Sequence, residues 1–286
     1  MIAKETRLSI IIVNYNTKAL TNQCVESIVK YTQCVEYEII LVDNGSSDGS
    51  QEFFSKDTRL LFIASKENLG FGKANNLGFK HSSGKYILLL NSDTMLYRDV
   101  LSEMVLFLEE HKEIGCLGTI LRDENNNIVH SYGRFPHWYD EFVCDKKKNY
   151  DYLNSYPSCV EMITGADLMI RRDVVDCYGL FDSDFFMYYE DSEMMFRYNK
   201  KGVVSAVIDA PGIIHLEGAS SKISFRKAIM QSQGFYIYIS KIYNPLFAFF
   251  AKLIITLKRF LTIWMKPWNL REKFYYICRL FSWIIK

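Results

Sequence analysis

Proline is scarce, at 5 of 286 residues, and the 7 cysteines are scattered without one CxxC pair. An odd count with no metal-ligand spacing makes a reduced, cytoplasmic setting the simplest reading. Charge of one sign is also lacking. The 34 basic and 33 acidic side chains leave a net charge of +1, so the chain is not a nucleic-acid polycation and no nucleic-acid partner is expected. A secretory leader is not evident. The first apolar run, Leu8 to Val13, is too short and has no small-residue cleavage site. No GxGxxG fingerprint and no GxxxxGK[ST] phosphate loop occurs, which disfavours a P-loop ATPase. Internal repeats and low-complexity tracts are absent as well.

What is present is an ordinary globular composition, 49% hydrophobic and 23% charged, long enough for one large domain or one domain with an appendage. The near-zero charge hides a split. Residues 241–286 carry nine basic residues and one acid, a balance of +8, which leaves −7 for the rest. We therefore divide the chain into a body, 1–240, and a basic tail, 241–286.

In the body, short apolar runs alternate with helical patterns. Leu8–Val13, Glu38–Val42, Leu60–Ile63 and Tyr86–Leu90 read as strands, and Lys18–Tyr31, Gly72–His81 and Asp99–His111 as helices. Continuous apolar strands separated by helices predict an α/β fold with a mostly parallel sheet covered on both faces. In such sheets ligands bind beyond the carboxyl ends of the strands. Further on, Asp123–Asn127 marks a hairpin tip and 134–159 an irregular surface excursion. Val160–Ile170, a helix near Glu190–Lys201 and a strand at Val203–Ile208 restore regular structure.

Polar clusters follow the strands. Asn14 ends the first, and Asp43 opens DNGSSDG after the second; each suits a nucleotide contact or an Asx turn equally well. Next comes ENLGFGKANNLG, with Asn68, Asn75 and Asn76. Its null alternative is a loop entering an ordinary helix. After the fourth strand stands Asn91-Ser92-Asp93. A carboxylate at a buried strand end is costly unless paired or metal-bound, although Asp93 also fits a helix N-cap. Glu190 and Asp191 lie among aromatics in GLFDSDFFMYYEDSE, where an apolar setting raises carboxylate basicity. Glu193 and Arg197 are one helical turn apart and suit a surface pair. His215 follows a later strand, and near a metal carboxylate it becomes a candidate ligand.

In this order, SIIIVNYN, VDNGSSDGS, ENLGFGKANNLGF, LLLNSD, TGADLMI, GLFDSDFFMYYEDSE and IIHLEGASS resemble the inverting glycosyltransferases of family 2, closest to bacterial rhamnosyltransferase-type members. The resemblance covers residues 8 to about 225. It implies a GT-A fold, a nucleotide-sugar donor, a divalent metal (Mg²⁺ or Mn²⁺) and single displacement onto a lipid-linked or cell-surface glycan. By the same resemblance Asn14, Asp43, Asn68, Asn75, Asn76 and Gly165 line the donor. Asp93 closes the family's DxD motif and holds the metal with His215. Asp191 is the base, with Glu190 beside it. The chain departs from the pattern in three places: Asn91 replaces the first DxD acid, Asn75 stands where many relatives carry Arg, and the QxxRW signature of processive members is missing. The last implies addition of one sugar; the resemblance to rhamnosyltransferases favours dTDP-L-rhamnose as donor, with UDP-linked hexoses the alternative. A nucleotidyltransferase and a non-catalytic sugar-binding scaffold are the competing readings.

Along residues 245–266, Lys252, Thr256, Arg259, Thr262 and Lys266 share one helical face. Leu246, Phe250, Leu253, Leu257, Phe260, Leu261 and Trp264 share the other. After Pro267 a second pattern groups Phe274, Ile277, Phe281, Ile284 and Ile285, with Tyr276 and Trp283 on the opposite side. Lys252, Lys258 and Arg259 interrupt the run before the ~20 residues of a membrane span. Basic amphipathic helices of this kind suit an anionic lipid surface, here the inner face of the plasma membrane. The competing expectation is a helical pair that packs on the body or builds a homodimer.

Overall fold

The structure, a computed structural model, describes residues 7–143, 157–216 and 224–285. The first half is βα-alternating: β1 Leu8–Asn14, α1 Lys18–Tyr31, β2 Tyr37–Asp43, α2 Ser50–Phe54, β3 Leu60–Ala64, α3 Phe71–Phe79 and β4 Tyr86–Asn91. Then come β5 Thr94–Leu96, α4 Val100–Glu110, β6 Ile114–Thr119, β7 Tyr132–Gly133, β8 Ser158–Cys159, β9 Met162–Ile163 and β10 Asp167–Arg171. The remainder is α5 Arg172–Tyr178, α6 Glu190–Lys200, β11 Val204–Ile208, β12 Ile213–His215, α7 Phe225–Ile242, α8 Pro245–Thr262 and α9 Leu270–Ile285. The four strands and three helices expected in the first half are all present. The excursion at 134–159 contains a 3₁₀ turn, Trp138–Phe142, and ends in β8; Lys146–Lys148 lie outside the described residues.

Eight strands form one sheet in the order β3-β2-β1-β4-β10-β6-β11-β8. Strands β1 to β4 are mutually parallel, whereas β10 runs antiparallel between β4 and β6. That reversal matters for the site. Asp167, at the start of β10, pairs with Leu90 at the end of β4, so Gly165 and Ala166 arrive at the carboxyl edge of the parallel strands. A second small ladder, β12 against β5, sets His215 opposite Thr94. Apolar side chains on the two sheet faces form separate buried clusters, one under α1 and α4, the other under α3 and α6. This is why the strands read as continuous apolar runs.

A third cluster joins α7, α8 and α9. It contains Phe235, Tyr236, Tyr238, Ile255, Tyr276, Leu280 and Trp283, and it also takes in Phe185 from the body. The face of α8 that packs inward is the one bearing Lys252, Thr256 and Arg259. Thr256 and Tyr236 share a 2.6 Å hydroxyl bond, and Lys252 Nζ donates to Ser240 Oγ at 3.1 Å. Arg259 pairs with Glu141 of the 3₁₀ turn and lies over the Phe235 and Tyr236 rings. The apolar stripe consequently faces outward: Leu246 is 69% exposed, Leu261 72%, Trp264 57% and Phe274 70%. Tyr276 and Trp283, set apart from the second apolar pattern by sequence, are buried instead. Among the described residues no helix is long and apolar enough to cross a membrane.

Candidate active site

Register aligns the ends of the parallel strands. Asn14 lies beside Asp43, Asp43 beside Ala64, and Val13 beside Asn91. Asn14 and Asp43 are both fully buried, and their side chains meet at 2.6 Å. Asn14 Oδ1 accepts from Thr17 and Thr21, while Asp43 Oδ1 accepts from the Ser46 N–H and from Gln51. These bonds shape the two turns, whose rims also carry Ser46 and Asn16.

The ENLG segment is tied to the second turn by Asn44. Its amide donates to Asn68 Oδ1 at 3.0 Å and to the Gly70 carbonyl, and its Oδ1 accepts the Leu69 N–H. Asn75 turns inward onto the Phe71 carbonyl, 3.0 Å away, inside its own helix. Asn76 exchanges two bonds with the backbone of Phe181, 2.8 and 3.0 Å, and so clamps α3 to the GLFDSDFF loop.

That loop delivers the carboxylates. Gly70 and Gly234 approach it from opposite sides: a Cβ on Gly70 would stand 2.1 Å from the Phe186 carbonyl oxygen, and one on Gly234 2.3 Å from that of Tyr188. Between them Tyr188 and Tyr189 adopt φ of 72° and 69°. For aromatic residues this conformation costs about 1–3 kcal/mol each and persists only where the surroundings dictate it. Directly after it α6 begins with Glu190 and Asp191. Glu190 is buried with no hydrogen-bond partner on Oε2; burial and the charge of Asp191 raise its pKa to about 8. Asp191 is also raised by burial, opposed by the Ser192 N–H at 2.7 Å and a 3.4 Å bond from the Gly165 N–H. Burial thus raises the pKa of both carboxyls of the pair. Farther along the helix, Glu193 and Arg197 do pair, at 3.1 Å, and the guanidinium also holds the Leu180 carbonyl.

Asp93 and His215 meet at 3.3 Å. Burial acts to raise the Asp93 pKa, but the imidazole more than compensates and the net displacement is downward. The Asn91 amide lies 3.4 Å from the same imidazole nitrogen. Among the described residues no third His, Cys, Asp or Glu completes a metal cluster. One carboxylate and one imidazole fit an ion that takes the rest of its shell from a diphosphate and water, the usual habit of Mg²⁺. Gly165, His215, Asn91, Asp191 and Glu190 line a single cavity of about 230 Å³. Asn14, Asp43, Asn68, Asn75, Asn76 and Asp93 are not among its walls.

Several residues in and behind this cleft escaped the sequence reading. His130 and Tyr188 line the cavity, and the charge of His130 tempers Asp191. Asp167 is wholly buried behind it, accepting the Thr119 N–H and hydroxyl at 2.8 and 2.6 Å. Burial lifts its pKa to about 7 despite those bonds and the neighbouring His215. A lone acid in the apolar run Ala166–Ile170 was the available clue for Asp167. His130, in an irregular segment, offered none.

Comparison with known proteins bears on this arrangement. The family model described as "Glycosyl transferase family 2" matches residues 9–179. An uncharacterized glycosyltransferase of Rickettsia bellii is 36% identical over 116 residues, 40% of this chain and 16% of its own length. The minor teichoic acid biosynthesis protein GgaB of Bacillus subtilis is 31% identical over 109 residues, 36% of this chain and 12% of its own length. The chain thus spans less than a fifth of either relative. In three dimensions it is similar to residues 1–349 of S. aureus TarS, with a TM-score of 0.57 at 15% identity, covering 97% of this chain and 71% of that one. This likeness concerns the fold: the α/β body and its C-terminal helices.

Proposed function

Because the chain belongs to glycosyltransferase family 2, we propose that its cleft transfers one sugar, with inversion, from a nucleotide-sugar donor to a glycan or lipid-linked glycan. The observation that carries this reading is the convergence on one cavity of the Glu190–Asp191 pair and His215, whose imidazole meets Asp93 at 3.3 Å. One pair suits the diphosphate end of a donor and the other suits an acceptor hydroxyl. A metal held by Asp93 and His215 would neutralise charge that develops on the leaving diphosphate. Asp191 removes the hydroxyl proton as that oxygen bonds to the anomeric carbon and the bond to the diphosphate breaks.

The turns at Asn16–Ser46 and Asn68–Gly70 are proposed to receive the nucleoside, with Asn14, Asp43, Asn75 and Asn76 holding those walls in place rather than touching the donor. Gly165 serves the donor edge of the cavity. As first donor we infer dTDP-L-rhamnose, on the resemblance of the motifs alone. The relative named for minor teichoic acid biosynthesis favours a cell-surface polymer as the final product. The outward apolar stripe of α8 and α9, with the exposed cations Lys266 and Arg271 beside it, favours a peripheral position on an anionic membrane, on the cytoplasmic leaflet. The body and the tail, 1–240 and 241–286, would then divide catalysis and docking between them. The test is release of nucleoside diphosphate from a panel of nucleotide sugars. Activity with at least one donor that needs Mg²⁺ or Mn²⁺ supports the reading, and no turnover with any donor and acceptor mixture defeats it.

A further inference from the structure

A second and larger cavity opens on the far side of the catalytic turn. It measures about 1170 Å³ and lies between the 3₁₀ turn, α7, α8 and α9. Its wall includes Tyr189, the residue that directly precedes the carboxylate pair, whereas Tyr188 lines the donor-side cavity. The two left-handed tyrosines thus line different cavities, and Tyr189 stands two residues before Asp191.

The walls combine aromatic surface with cations. Trp268, Tyr276 and Tyr189 supply the first, and Lys258, Arg259 and Lys266 the second. Arg259 is largely buried and spends its Nε and Nη2 on Glu141, while Nη1 has no hydrogen-bond partner. Glu272, the other acid of the wall, accepts the Asn269 N–H at 2.9 Å. Neither lysine enters an ion pair among the described residues. With Glu141 matched by Arg259, two lysines face one carboxylate, and a guanidinium N–H remains to be satisfied. A buried donor without a partner is costly, about 1–3 kcal/mol, and an anionic oxygen is the group that repays it. Aromatic walls suit the C–H faces of sugars or an acyl chain equally.

We propose that this cavity is the acceptor site and that it takes a phosphate-bearing acceptor, the phosphate being held by Lys258 and Lys266 with the Arg259 guanidinium beside them. The inference rests on the glycosyltransferase reading for the word acceptor but not for the anion site itself. Two probes separate the sources of the phosphate: glycerol 2-phosphate for a water-soluble phosphate ester, and octyl phosphate for one carried on a lipid. Octyl glucoside is the neutral control. In calorimetric titrations of the full chain, at least one phosphate probe should bind, and K258Q/K266Q should weaken it ten-fold or more. Asp93→Ala should leave that binding unchanged. The paired change R259Q/E141Q, which leaves no buried charge unmatched, should weaken it likewise. Phosphate binding that ignores both sets of substitutions, or octyl glucoside binding as tightly as octyl phosphate, overturns the proposal. Nucleotide-sugar hydrolysis is followed in the same samples. Its absence alongside intact phosphate binding would count against the glycosyltransferase reading and not against the anion site.

Discussion

Glu190 and Asp191 are neighbours in sequence whose carboxyl pKa values are both raised by burial, and each substitution has its own expected signature. Asp191→Asn should keep the fold and donor binding and lower turnover by ~10²–10⁴-fold, the usual worth of a positioned base; near wild-type turnover would assign the role elsewhere. Glu190→Gln imitates the protonated acid. The folded-state pKa of about 8 lies above the ordinary 4.5, so the folded chain binds this proton more tightly than the unfolded one. Stability from this group is therefore complete below about pH 4.5 and falls as pH rises through 8. Urea midpoints measured from pH 6 to 9 should decline less for Glu190→Gln than for the parent chain. At the other pair, Asp93→Ala should weaken Mg²⁺ or Mn²⁺ dependence and donor affinity together, since ion and diphosphate bind as a unit. Full parental activity in excess EDTA would remove the metal from the account.

At the scale of elements, the catalytic turn is wedged between the start of α3 and the middle of α7. Gly234→Ala puts a methyl group 2.3 Å from the Tyr188 carbonyl, a contact that must be relieved by moving the turn. Turnover should fall at least ten-fold while donor binding, built from β1 to β4, is retained; equal loss of both would mean general unfolding. The body's elements were legible because its strands are buried on both faces and its helices end at polar turns. The strand-end rule also found Asp93, which the structure joins to His215 through the β5–β12 ladder. Two things were not legible. Antiparallel β10 has the same apolar composition as a parallel strand, so its reversal, which delivers Gly165 to Asp191, leaves no trace in the periodicity. The role of Asn14, Asp43, Asn75 and Asn76 is the other, because an amide or carboxylate at a strand end looks the same in sequence whether it meets a donor or braces a turn.

For the whole molecule, the tail is the instructive case. Helical spacing separated the two faces of α8, and it is the face with Lys252 and Thr256 that packs on the body. Lys252, Thr256 and Arg259 go inward because Ser240, Tyr236 and Glu141 provide for them. The leucines and aromatics are left outside, and an apolar patch of that kind marks an interaction surface. Anionic vesicles should sediment the chain at low salt and release part of it as salt screens the cations. Replacing Leu261 and Trp264 by serine should lower binding to vesicles and leave soluble donor hydrolysis intact. Indifference of the parent chain to anionic and neutral vesicles alike would turn the patch over to a protein partner, such as a second copy.

The wedge on Tyr188 also has a consequence in time. Ribosomes make this chain from its amino end, and the sheet with its donor edge can close while α7 to α9 are still being translated. The tyrosine turn cannot, since Gly234 and the cluster around Phe235 and Tyr276 come last. A nascent chain would then recognise a donor before it could use one, and reactivity would be withheld until the C-terminal helices had been synthesised.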